Sequence, residues 1–225
     1  MFKTNLIKTI GYIFAAWILI FTGIMVTKVL PYLGNLGNDI NFLGTKPDHV
    51  LNRNYFMWAF YVHITTSVIA MLSGIFQFFP QILRGYPKVH RLIGKIYIGS
   101  VLLFAAPSGL VLAAFANGGL AAKVGFTLQC IVWWFATYAA WHEVIKQRFV
   151  RHSEMMLRSY AVTIAAMSLR TESYFMVYLF ETKPIETYLT VTWLSWVGNL
   201  LIAETLIYFG LAKYWIEKAN PKNQK

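Results

Sequence analysis

The chain has 225 residues, 57% of them hydrophobic and 13% charged, with a formal net charge of +11 and a mean hydropathy of +0.52. A soluble domain of this length carries about a quarter charged residues, and here the apolar residues are gathered into long blocks, so a water-soluble globule is excluded. The positive charge sits in short segments between those blocks, where membrane topology accounts for it and nucleic acid is not needed. A single cysteine, Cys130, excludes an internal disulfide and a cysteine-based metal cluster, and its apolar surroundings predict that it packs as a small hydrophobe.

Six apolar blocks follow in order: 9–30, 55–80, 92–116, 122–145, 158–180 and 188–212. Each exceeds the roughly 20 residues that a helix needs to cross the hydrocarbon layer. Lipid offers the backbone no hydrogen-bond partner, and barrel strands are half as long, so helices are the expected elements. The expected fold class is all-α: an integral membrane bundle of six transmembrane helices forming one domain over 1–225. With the N-terminus inside, 14 of the 20 lysines and arginines fall in inner segments and 5 in outer ones. That bias predicts both termini in the cytoplasm of a bacterial inner membrane, with the lipid bilayer as the first partner. The first block has too long an apolar core for a cleaved signal peptide and is expected to stay as a span. Residues 31–54 form the longest outer loop, expected to be solvated although Asp48 and His49 are neighbours there. Residues 217–225 form a polar cytoplasmic tail.

The second block carries a stripe of His63, Ser67, Ala70, Gly74 and Gln77 at helical spacing. Small and polar residues on one face predict that this face meets other helices. His63 lies about 12 Å in from the outer end at the helical rise. An ionisable group at that depth is a functional candidate, and a neutral packing histidine is the plainer alternative. The turn after the second block holds Arg84, His90 and Arg91. In the third block, Pro107-Ser108-Gly109 marks a candidate helix break. The turn after the fourth block holds His152, with His142 shortly before it and Arg158 shortly after. The adjacent His90-Arg91 and Arg151-His152 form a faint internal echo, whose shared location matters more than the likeness.

Ser159, Thr163, Ala166, Arg170 and Ser173 stripe the fifth block. Arg170 falls near the bilayer centre, where an arginine costs at least about 2.5 kcal/mol and demands an anion or a wet cavity. The sixth block supplies Asn199 and Glu204, and an Arg170–Glu204 contact is expected. Glu172 is a second acid, facing away from Arg170. His63, Gln77, Arg170, Asn199 and Glu204 therefore form a candidate intramembrane polar site. Arg84, His90, Arg91, His152 and Arg158 form a candidate cytoplasmic-side rim.

Two functional classes follow. Imidazole is a usual ligand of haem iron and of transition metals, so His90 and His152, with His63 as a further candidate, point to one haem b or metal ion in a redox protein. Such a protein would exchange electrons with a quinone. The alternative is a bundle that binds or transports a small anion or a lipid-like molecule through Arg170, Glu204 and His63. A bland third reading is an assembly factor whose polar groups only pack helices. No nucleophilic motif, zincin motif or nucleotide-binding glycine loop is present.

The ordered series His63, Gly74, Gln77, Pro80, Arg84, His90-Arg91, Gly94 and Tyr97 resembles a bacterial membrane-protein family of unknown function, number 2306 in its series. His152, Met155, Arg158-Ser159, Arg170, Asn199 and Ala203-Glu204 continue the likeness, which covers roughly residues 55–210. The resemblance implies a multi-pass membrane protein with these polar residues as marked positions. It implies no reaction.

Overall fold

The computed structural model describes residues 2–33 and 42–219; the rest of the 31–54 loop and of the 217–225 tail lies outside the described residues. Among the described residues the chain is helical without strands. In order the helices are α1 (Phe2–Leu33), α2 (Asp48–Leu51), α3 (Asn54–Phe76), α4 (Pro80–Gly85), α5 (Pro87–Gly99), α6 (Ala106–Ala114), α7 (Gly119–Ile145), α8 (Phe149–Thr163), α9 (Ala165–Phe180), α10 (Pro184–Tyr208) and α11 (Leu211–Ala219). Proline opens α4, α5 and α10, where its missing N–H costs nothing and its fixed φ suits the first turn. At α10 the Glu186 carboxylate also accepts the Lys183 backbone N–H at 2.9 Å.

Four helical stretches are long and apolar enough to cross a membrane: residues 54–78, 87–114, 119–145 and 184–208. Their outward faces expose large apolar side chains such as Leu103, Phe135, Leu201 and Ile202, a surface suited to lipid and not to water. The interior is a close-packed cluster that includes Ile18, Tyr97, Val101, Trp133, Tyr160 and Met167. In the described part of the 31–54 loop, Leu43, Val50 and Leu51 pack with Phe56 and Phe60 at one end of the bundle, while Asp48 and His49 are exposed. The loop is therefore not simply solvated; its apolar side chains cap that end.

Two expected helices differ in detail. The third block stays a continuous rod through Pro107, so no break occurs at Pro107-Ser108-Gly109. The irregularity lies one turn earlier, as a π-helical segment over Ser100–Ala105. In a π turn the Leu102 carbonyl would accept from residue 107, which as proline has no N–H. The Trp134 indole N–H donates to Leu102 O at 3.1 Å in its place. The fifth block is not one rod. It starts at Phe149 as α8 and is interrupted at Ile164, with φ −82° and ψ 1°, before α9. A single turn-like residue redirects the chain there without proline or glycine.

Candidate functional site

The polar residues expected to converge do not form one site. Glu204 is held by Arg158 and not by Arg170. Arg158 Nε and Nη2 donate to the two carboxylate oxygens at 2.5 and 2.8 Å, in the paired fork geometry. This ties α8 to α10, and the charge of Arg158 is committed to it. Arg170 is exposed and donates from Nη1 to Ala166 O, one turn back, at 2.7 Å. The expected contact took the fifth block as one continuous helix, and the interruption at Ile164 falls between Arg158 and Arg170.

Asn199 serves that interruption. A continuous helix would bond Ala161 O to the N–H of residue 165, and the turn at Ile164 frees that carbonyl. Asn199 Nδ2 donates to Ala161 O at 3.0 Å, and its Oδ1 accepts from Ser168 Oγ at 3.0 Å. A broken helix inside an apolar bundle needs such a neighbour, because lipid supplies no donor.

His63 lies elsewhere. Its Nδ1 is 2.8 Å from Ala105 O, at the end of the π segment. A carbonyl only accepts, so Nδ1 carries the proton and Nε2 is the acceptor nitrogen of the neutral ring. A Cβ on Gly109 would come 3.0 Å from His63 Cε1 and 2.9 Å from Cys130 Sγ, so Gly109 is the residue that lets the histidine, the buried thiol and the rod meet. Gln77 is separate again. With its amide oriented to satisfy both ends, Nε2 donates to His90 O at 3.3 Å and Oε1 accepts from Gly94 N at 3.2 Å. Gln77 thus clamps the first turns of α5. Gly94 leaves room for it, since a Cβ there would sit 3.1 Å from the Gln77 amide.

The rim does assemble in part. His90, on the first turn of α5, and His152, on the first turn of α8, are both partly buried. His152 Nδ1 donates to Ala140 O at 2.8 Å, which fixes the ring and leaves Nε2 unprotonated in the neutral form. Arg84 and Arg91 are exposed at the same end. His142 does not join the pair: its ring stacks on Tyr138, its side chain is 44% exposed, and it lies 3.8 Å from Glu143. Among the described residues no three histidine, cysteine or acidic side chains cluster in metal-binding geometry, so a donor set supplied wholly by the protein is not what the histidine pair offers.

Seven residues beyond each histidine, about 10 Å along the helices, lie Tyr97 and Ser159. Their hydroxyls are 2.5 Å apart, in a buried network that sequence reading only half found. Tyr97 Oη is also 2.8 Å from Thr163 Oγ1, Ser159 Oγ is 2.6 Å from Thr137 Oγ1, and the Trp133 indole N–H donates to Thr163 Oγ1 at 2.9 Å. Thr137 returns a bond to Trp133 O at 2.7 Å. One assignment of the hydroxyl protons runs Trp133 N–H to Thr163, Thr163 to Tyr97, Tyr97 to Ser159, Ser159 to Thr137, and Thr137 to the Trp133 carbonyl, with Ser159 O, 2.9 Å from Thr163 Oγ1, as the other acceptor for the Thr163 proton. The series begins and ends on Trp133, so it fastens α5, α7 and α8 and is no open path. Thr137 was missed because the fourth block shows no polar stripe; only its pairing across helices marks it.

No curated protein and no solved structure matches the chain. The family model described as "Predicted membrane protein (DUF2306)" matches residues 60–207, well over half of the chain, and takes in every residue of the histidine pair, the Arg158–Glu204 fork and the hydroxyl network. The chain is thus a member of that membrane-protein family.

Proposed function

We propose that this is a redox protein of the bacterial inner membrane that holds one haem b, or a single metal ion, between His90 and His152 at the cytoplasmic side. In this reading α1 and the α8–α9 pair complete six spans, both termini are cytoplasmic, and the turns that carry Arg84 and Arg91 face the cytoplasm. The observation that carries the proposal is the histidine pair: two histidines on separate helices, each seven residues before the Tyr97–Ser159 contact and so at one level, with the His152 tautomer set by Ala140 O. Metal-bound histidines are commonly oriented in this way, the second nitrogen donating to a carbonyl. Imidazole is a usual ligand of haem iron, and exposed arginines at the same end suit carboxylate groups such as propionates. When bound, the group would supply one-electron chemistry; the chain supplies ligands, orientation and positive charge.

The test is an absorption spectrum with metal analysis. Protein purified in mild detergent from haem-replete cells is expected to show a Soret band that His90→Ala and His152→Ala each abolish. Arg170→Leu, outside the pair, retains it. A folded, colourless, metal-free wild-type protein that takes up no added hemin overturns the proposal.

A further inference from the structure

Arg170 is a cation that the described residues leave without a counter-ion. It is exposed on α9, and its bond to Ala166 O satisfies one of its donors without neutralising the charge. None of the ion pairs among the described residues includes it. The acids expected to matter are engaged or turned elsewhere. Glu204 is held by Arg158, and Glu172 lies two positions along the same helix, about 200° around it. A guanidinium cannot discharge itself by losing its proton.

Helix register gives its depth. Ser168 Oγ donates to Asn199 Oδ1 at 3.0 Å across the antiparallel α9 and α10. Two residues further along each helix, Arg170 stands level with Val197, in the middle of the 184–208 stretch that is long and apolar enough to cross a membrane. An exposed arginine at the bilayer midplane is among the costliest placements in a membrane protein, and such residues normally face protein or water. The same face of α9 continues as Tyr174, Val177 and Tyr178, which are 78%, 52% and 84% exposed and share one helical stripe with Arg170. One turn the other way is Ala166, exposed and small enough to let a second backbone approach. An apolar face needs only lipid to cover it. A face with an unneutralised charge at mid-depth needs a cover that brings the opposite charge.

We propose that this face of α9 docks a transmembrane helix of a different membrane protein, one that carries an aspartate or glutamate at mid-depth. The partner carboxylate would take the Arg170 guanidinium in the paired geometry that Arg158 and Glu204 show within the chain. The partner helix would lie along Ala166 to Tyr178, a length of about 18 Å. Charge complementarity selects this occupant. A second copy related by a two-fold axis along the membrane normal brings Arg170 against Arg170 at one depth, where like charges repel. Lipid headgroups and the carboxylate of a fatty acid lie at the interface, about 15 Å from the midplane. The docking face uses none of the residues of the histidine pair, and it stands or falls independently of a haem.

The test is energy transfer, in phosphatidylcholine vesicles, from the tryptophans of the protein to a dansyl-labelled synthetic helix. The probe is a leucine–alanine transmembrane peptide with one central glutamate. Saturable transfer is expected, with Kd raised about tenfold by Arg170→Leu, and about tenfold by a central glutamine in the peptide, the worth of one hydrogen bond to a charged group. His152→Ala is expected to leave Kd unchanged. Without peptide, Arg170→Leu is expected to insert and to melt at or above the wild-type temperature, because it deletes an unpaired charge. A lower melting temperature shows an arginine already neutralised within the chain and overturns the proposal. Absence of saturable transfer, or an unchanged Kd in Arg170→Leu, overturns the docking face. Displacement of the peptide by an equal concentration of oleate overturns the helix as occupant, and so does a dimer of the protein that Arg170→Leu dissociates.

Discussion

Replacing Tyr97 by phenylalanine isolates the energetic role of the buried hydroxyl network. The ring of Tyr97 is 0% exposed and stays in place, while the substitution deletes only Oη and its contacts to Ser159 at 2.5 Å and Thr163 at 2.8 Å. Hydrogen bonds between helices in membranes are worth about 0.6 kcal/mol on average and up to about 1.7. Two of them therefore set an expected loss of about 1–2 kcal/mol, mid-range for a substitution of this kind. The closed series also predicts non-additivity. Ser159→Ala alone breaks the bonds to Tyr97 and Thr137; once Tyr97 Oη is gone, only the Thr137 bond remains for Ser159 to lose. The double variant is thus expected to fall short of the sum of the two singles by at least about 0.5 kcal/mol, as groups in one network do. The assay is reversible unfolding in bicelles under increasing denaturing detergent, followed by tryptophan fluorescence. Tyr97→Phe at wild-type stability, with strictly additive singles, refutes the network as a fastening of α5, α7 and α8.

Other expectations follow from the same packing. Asn199→Leu removes the donor that satisfies Ala161 O at the Ile164 interruption, and is expected to cost about 1–3 kcal/mol in the same assay; Asn199→Gln is expected to recover part of it. Gly74→Ala drives a Cβ into the rings of Tyr160 and Tyr97 and is expected to cost about 1–3 kcal/mol through overpacking. Gly23→Ala, which meets nothing within 4 Å, is the neutral control. In the loop, Lys46 Nζ donates to Phe115 O at 2.6 Å and to Asn117 Oδ1 at 2.9 Å, while burial and then the Lys123 charge pull its pKa down to about 8. Between about pH 8 and the ordinary lysine value of 10.5 the unfolded chain holds more protons at this site than the folded one, so the Lys46 contribution to stability rises with pH across that window. Thermal melts of wild type against Lys46→Met over pH 7.5–10 check it: the difference between them is expected to change in favour of the wild type as pH rises, and a constant difference contradicts the assignment.

Much of the architecture is legible in the sequence because a bilayer imposes simple rules. Length and hydropathy alone mark the apolar stretches now seen at 54–78, 87–114, 119–145 and 184–208, and the ordered polar residues of the second and third blocks point to the family that matches. The stripe through His63, Gly74 and Gln77 does face the bundle, although its members reach three different partners. What the sequence does not determine is which polar groups meet, because hydropathy fixes depth along a helix but not rotation about it. The Ile164 interruption carries no proline or glycine to announce it, yet it sets how α9 is turned and hence leaves Arg170 exposed while Arg158 takes Glu204. The hydroxyl series on Trp133 likewise comes from residues that look ordinary one helix at a time. They acquire meaning only when packing brings separate rods to one level, since an apolar interior turns every buried donor and acceptor into a group that needs a partner.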